Sequence, residues 1–382
     1  MMAILPIKIV VCDKDEFVDF AETFTYEIRN KDALKSKMYC IIKHKENLTK
    51  LSTKILGNSE KGDGYVGDII FVFATATTDA GLTKEYNLVL KCSKRSQILR
   101  ETSPVKDAFF NEIYMYDVVL PAFTRFQEEK GFTHPFDSVP KCYGTFIDDN
   151  MEVIVFENLK NVGYSLWDKK KPLTRRHVDM VINEYAKFHA VSLAMQDQNP
   201  EKLEELIGSF SDIFKKFIDS VDMEILYGNA VDEIYDVLKD ELDENILLKW
   251  KHIKTQIHFV MNEMAQNVEG IKVVLHGDCW NNNFMFKHTT DEESVPVKVA
   301  ILDWQISRYS SPIFDLSLGS DVETIYRFDN FLEDWRRFSI FGILMTSIIM
   351  KVASTEKDEV LDIAQVAESG EGMINAFLYE VF

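Results

Sequence analysis

Three side chains at fixed separations constrain this chain more than anything else in it. They are an Asp at 278, an Asn five positions later at 283, and a second Asp at 303. The first two lie in His276-Gly277-Asp278-Cys279-Trp280-Asn281-Asn282-Asn283 and the third in Ile301-Leu302-Asp303-Trp304-Gln305. Between them, Phe284–Lys287 and Val297–Leu302 read as short strands. Two such strands form a hairpin, which would carry residue 303 back towards residue 278.

That arrangement matches what phosphoryl transfer requires. One carboxylate must orient the incoming hydroxyl and accept its proton, and oxygen ligands must hold Mg²⁺ on the phosphates. Taken singly the residues mean little. A lone Asp in a turn is usually a cap or an Asx-turn, and a lone His is more often a satisfied core residue. The ordered set is what points to chemistry.

The same residues resemble the ecdysteroid kinase-like family, within the wider choline-kinase and aminoglycoside-phosphotransferase superfamily. The likeness extends over Asn281 to Lys287 and over Arg308-Tyr309-Ser310-Ser311-Pro312-Ile313-Phe314-Asp315-Leu316. It implies an α+β, two-lobed protein-kinase-like fold that uses ATP and Mg²⁺. It also implies Asp278 as catalytic base, Asn283 and Asp303 as metal ligands, His276 as a buttress of the loop, and Asp315 as its brace. The family usually has Phe where this chain has Trp304; an aromatic is kept, so repacking is expected rather than loss of activity.

A kinase-like site also needs a nucleotide grip from the first part of the chain. Leu88-Val89-Leu90-Lys91 puts Lys91 at the end of an apolar strand, where its ammonium can meet phosphates. Glu112, on the helix that follows, can pair with Lys91 and hold it. The nearby Glu101 precedes Pro104 and falls outside that helix. Gly62-Asp63-Gly64-Tyr65-Val66-Gly67 matches a phosphate-covering glycine loop, and an extended run follows it rather than the helix a dinucleotide site needs. An ordinary tight turn is the bland reading of that segment. By resemblance the adenine hinge is Phe156-Glu157-Asn158-Leu159, with Glu157 and Leu159 among the nucleotide contacts. On the helix expected from Thr174 to about Met195, His189 is read as packing near the catalytic loop rather than as a proton donor.

The organisation follows. Tyr65–Phe73 and Tyr86–Lys91 form a hairpin, 105–119 is helical, and Lys141–Phe146 and Glu152–Phe156 are two further strands. Residues 13–56 read as helix and loop. Beyond 159 the pattern is helical, with two or three acidic amphipathic helices in 201–268 and helices again over 328–382. The expected domains are a nucleotide-gripping lobe, 1–158, and a helical lobe, 159–382, with a substrate-covering insert at about 201–268.

Composition then excludes classes of function. The 43 basic and 62 acidic side chains leave a formal charge of −19. Such a surface repels nucleic acid and anionic lipid in bulk. The longest uncharged stretch, Phe338–Met350, is too short to span a bilayer and reads as a buried helix. The 5 cysteines show no metal or redox spacing, so reduced thiols in a cytoplasmic protein are expected. No obligate protein partner is implied.

The reading is an ATP-dependent small-molecule O-kinase. Resemblance implies a steroid hydroxyl or a hydroxylated foreign compound as acceptor, as in detoxification, with a choline- or ethanolamine-type amino alcohol as the alternative. An inactive ligand-binding relative is the rival of a different class. A protein kinase is disfavoured: no long activation segment fits after Asp303, and no Ala-Pro-Glu follows.

Overall fold

The computed structural model describes residues 37–38, 40–42, 48–59, 67–148, 150–168, 171, 173–220, 222–289, 292–316 and 328–354. The chain divides into two compact units. One comprises Met1–Arg95 and Pro140–Val162, the other Ser96–Val139 and Gly163–Phe382.

The first unit is built on a five-stranded antiparallel sheet of order β1-β2-β3-β5-β4. Its strands are β1 (Leu48–Asn58), β2 (Gly67–Thr78), β3 (Thr83–Ser93), β4 (Cys142–Asp148) and β5 (Met151–Glu157). Period-two alternation decides which face is covered. Ile70, Val72, Ala74 and Ala76 of β2 are buried, as are Tyr86, Leu88, Leu90 and Cys92 of β3, and Met38, Ile41 and Ile42 pack with them. Gly144 permits that packing, because a Cβ there would lie 2.7 Å from Cγ2 of Ile41.

Strand β1 corrects the reading of 48–56 as helix and loop. The run Leu-Thr-Lys-Leu-Ser-Thr-Lys-Ile-Leu alternates in exposure, with Leu51, Thr53 and Ile55 half-buried and Ser52, Lys54 and Leu56 exposed. It is an edge strand whose lysines discourage further pairing; its many polar residues hid a half-buried face.

The second unit is mostly helical. After the short α1 (Gln97–Thr102), helical backbone runs without a break through α2 (Val105–Tyr114), a π-helical turn at Met115–Val119, and α3 (Leu120–Glu129). These helices fall before the boundary expected near 158, yet they pack in this unit. After β6 (Tyr164–Leu166) comes the long α4 (Arg175–Gln198). Its buried Val181, Ile182, Tyr185, Phe188 and Met195 recur at helical spacing. Phe188 meets Phe123, Phe136 and Trp304 at centroid separations of 5.4, 5.1 and 4.9 Å. Burying one such ring contributes about 2 kcal/mol.

Thr174 stands at the N-cap of α4, but its hydroxyl makes no capping bond. It is hydrogen-bonded instead to Nδ1 of His177, at 2.6 Å. The insert holds more helices than the sequence pattern separates: α5 (Pro200–Ile207), α6 (Ile213–Ser220), α7 (Met223–Leu238) and α8 (Glu244–Lys254), followed by a π-helical stretch at Phe259–Met264.

The chain then forms β7 (Val273–Leu275), β8 (Phe284–Thr289), β9 (Glu292–Ile301), β10 (Arg308–Ser310), α9 (Ile313–Leu316) and α10 (Phe328–Ser354). Strands β6, β8 and β9 make a three-stranded antiparallel sheet, and β7 pairs with β10. The expected hairpin at 284–302 is therefore present. The uncharged run 338–350 lies in α10, where Phe338, Phe341 and Leu344 are buried. Among the described residues no helix is long and apolar enough to cross a membrane.

Cys92, Cys142 and Cys279 are free thiols. Cys40 is disulfide-bonded, which departs from the expectation of reduced thiols throughout.

Candidate active site

The site is assembled from β7 outward. Strand β7 delivers the chain into His276-Gly277-Asp278, and the turn there demands glycine. Gly277 has φ +90°, and a Cβ on it would lie 2.5 Å from the carbonyl oxygen of Ile306. No other residue fits without moving backbone.

His276 is fully buried, and its tautomer follows from its partners. Nε2 lies 2.7 Å from the carbonyl oxygen of Leu302, which can only accept, so Nε2 carries the proton. Nδ1 is then the acceptor, for the Tyr185 hydroxyl at 3.0 Å and the Asp278 N–H at 3.3 Å. Burial pushes the Tyr185 phenol well above its ordinary value, so it stays a donor. Burial also raises the Cys279 thiol, which removes this cysteine as a nucleophile. The ring of Trp304 meets that of His276 edge to face at 4.7 Å, and its Nε1 donates to the carbonyl of Ile301 at 3.2 Å. The indole is thus fully accommodated.

Asp315 fixes the backbone of the loop. Its Oδ2 accepts the His276 N–H at 2.9 Å, and its Oδ1 accepts the Gly277 N–H at 2.8 Å. Nε2 of His189 donates to Oδ2 at 2.9 Å. Burial raises the carboxyl of Asp315, but its contact with His189 and the Gly277 N–H outweigh it and hold the group below its ordinary value. His189 therefore packs against the loop's brace, in keeping with a structural part.

Asp278 and Asn283 meet directly. Nδ2 of Asn283 donates to Oδ2 of Asp278 at 2.8 Å and to the Asp278 carbonyl at 3.0 Å. A one-turn 3₁₀ helix at Asn281–Asn283 makes the five-residue spacing close. The hairpin then brings residue 303 alongside: Phe284 pairs with Ile301, and the Leu302 N–H donates to the Asn283 carbonyl at 2.9 Å. Asp303 itself has φ +64°, a left-handed conformation that costs a non-glycine residue about 1 kcal/mol. Such strain persists only where surroundings impose it.

The remaining expected residues divide between the units. Lys91 is buried on β3, between Ile69 of β2 and Ile154 of β5. Glu157 ends β5, and buried Leu159 opens a 3₁₀ turn. The Glu157 N–H donates to the Lys141 carbonyl at 2.9 Å and that of Asn158 to the Asn87 carbonyl at 2.8 Å, which fixes this segment at the sheet's end. Glu112 is buried on α2, in the second unit. Gly62, Asp63, Gly64 and Tyr65 lie outside the described residues.

Sequence reasoning passed over two residues. Tyr185 was visible only as part of an apolar helix face. Asn111 donates through Nδ2 to the carbonyls of Gln305, at 2.9 Å, and Ser307, at 2.8 Å. No local signal marks it beyond its place beside Glu112.

An antiparallel sheet followed by helices, with this loop between β7 and β8, defines a two-lobed kinase-like α+β fold. The chain belongs to the ecdysteroid kinase-like family, whose model matches residues 61–319. Membership places it among kinase-like phosphotransferases. No curated protein matches the chain.

Proposed function

We infer that this protein is an ATP-dependent O-kinase that phosphorylates a hydroxyl of a small molecule. The observation that carries the reading is the pairing of Asn283 with Asp278 while the hairpin lays Leu302, and with it Asp303, against Asn283.

In this reading Asp278 hydrogen-bonds the acceptor hydroxyl and takes its proton as the new bond to the γ-phosphorus forms and the bond from that phosphorus to the leaving ADP breaks. Donation by Nδ2 orients the Asn283 amide so that Oδ1 points away from Asp278. That oxygen and the Asp303 carboxylate are hard donors of the kind Mg²⁺ takes, and kinase sites supply only one or two carboxylates beside the phosphates. Mg²⁺ held there would neutralise charge developing on the phosphates. The roles expected from the sequence complete the reading: Lys91 for the phosphate oxygens, Glu112 to steady it, Gly62–Tyr65 as the phosphate loop and the backbone of 157–159 for adenine.

The acceptor read from family likeness is a steroid or a hydroxylated foreign compound. Two aromatic residues of the insert have polar partners: Tyr227 donates to Sδ of Met345 at 3.0 Å, and Trp250 to the Val231 carbonyl at 2.8 Å. A choline- or ethanolamine-type amino alcohol, which would want an aromatic or acidic cage, is the alternative acceptor. A cytoplasmic setting is also expected from the sequence.

The test is ADP release with a panel of hydroxylated steroids and amino alcohols, beside Asp278→Asn and Asp303→Ala. Both variants should lose turnover by about three orders of magnitude or more. Equal, negligible rates in all three proteins would favour an inactive ligand-binding relative.

A further inference from the structure

We propose that Asn111 is a positioning residue for the metal-bearing segment at Asp303, acting from the helix that also carries Glu112; the proposal rests on the kinase reading above. Asn111 is 3% exposed, and its amide spends both hydrogens on carbonyls that flank Ile306. Those carbonyls belong to irregular backbone, which has no ladder or helix of its own to satisfy it. The donor comes from a residue 194 and 196 positions away in the chain.

The clamped segment is the one that presses on the catalytic loop. The Ile306 carbonyl occupies the space that forbids a side chain at Gly277. The Ser307 hydroxyl donates to the His276 carbonyl at 3.3 Å. Before Asp303, Leu302 is held through both backbone groups, its N–H by Asn283 and its carbonyl by His276. After it, Gln305 and Ser307 are held by Asn111. Asp303 therefore sits in its left-handed conformation between two anchors, and Asn111 is the second.

A fixed Asp303 is pre-organised for a cation, whereas one freed from its second anchor would populate ordinary backbone conformations and have to be recruited. Losing Asn111 should therefore weaken Mg²⁺ at the nucleotide site more than it disturbs the fold. The same helix presents the buried Glu112 at the next position, so the clamp also ties that carboxylate's helix to the Asp303 segment.

The experiment uses the full chain and ATP, and follows the ATP-induced rise in melting temperature as Mg²⁺ is titrated. In Asn111→Ala the Mg²⁺ concentration for half the effect should rise roughly tenfold. It should rise further in Asn111→Asp, which keeps the size but turns a carboxylate on two carbonyl oxygens. Asn111→Ser substitutes should the alanine protein not fold. Phe123→Leu, in the core of the same unit, controls for lost stability: it should lower the melting temperature and leave the Mg²⁺ midpoint in place. If wild type shows Mg²⁺-dependent ATP binding and the Asn111 variants keep its midpoint, or shift no more than Phe123→Leu, the positioning role is overturned. If wild type shows no such binding, the kinase reading falls and this inference with it.

Discussion

The catalytic-loop region and the helical insert at 201–268 share one unit but are held by different kinds of bond. Around the loop, side chains reach backbone 26 to 39 residues distant, and nearly all of them are buried. In the insert, the charged contacts are exposed, whether within one helical turn, as in Lys202 with Glu205, Lys215 with Asp219 and Lys239 with Asp236, or longer, as in Lys216 with Asp107 and Lys254 with Asp232. Helix α8 buries no residue among those described. An exposed pair is screened by water and salt and contributes at most about 1 kcal/mol. A buried charge stripped of its partner costs several times that. The loop has fixed geometry because its bonds cannot be exchanged for water, while the insert is shaped chiefly by which apolar faces its helices turn inward.

Asp315→Ala tests the loop's side of this contrast and should have the largest effect on stability. It strands the N–H groups of His276 and Gly277 and the ring of His189. Denaturant unfolding should report a loss of about 3–5 kcal/mol. A loss below about 1 kcal/mol, the scale of an exposed pair, would erase the distinction.

The pair His177 and His288 offers an intermediate case. Their Nε2 atoms lie 3.0 Å apart, and burial first, then His288, lowers the affinity of His177 for a proton. Above about pH 6.5 neither the folded nor the unfolded chain carries the proton there, and this residue adds no pH dependence. As pH falls through that value the unfolded chain protonates first, so stability is lost towards acid. Melting temperatures between pH 8 and 5.5 should fall on the acid side, and His177→Asn should make that limb shallower. An unchanged slope would show that the pair behaves like solvated histidines.

The smallest effect belongs to the insert. Asp219→Asn removes the partner of Lys215 on α6 and should change stability by under about 0.5 kcal/mol, less still in high salt. A change above about 1 kcal/mol would mean that the insert, too, relies on specific charge pairing.

Much of the fold was legible because its signals are local. The alternation in β2 and β3, the 3.6-residue period of α4 and the two apolar runs after Asn283 each reveal themselves within a dozen residues. So did the placement of Asp278 and Asn283, whose contact closes over a single turn. Strand β1 was obscured because its outward face is mostly lysine and serine, and its inward face, which includes the polar Thr53, is only half covered. The clamp of Asn111 and the tautomer of His276 were invisible for another reason: both depend on backbone oxygens of residues far along the chain, which carry no identity a sequence can display.

Asp315 also sets an order of events as the chain is made. The N–H groups of His276 and Gly277 find their acceptor 39 and 38 residues further on. Until that length has been synthesised and has left the ribosome, the turn at Gly277 has nothing to close upon, however complete the preceding helices are. Truncated or stalled chains ending before residue 315 would thus carry the whole signature motif without its working shape.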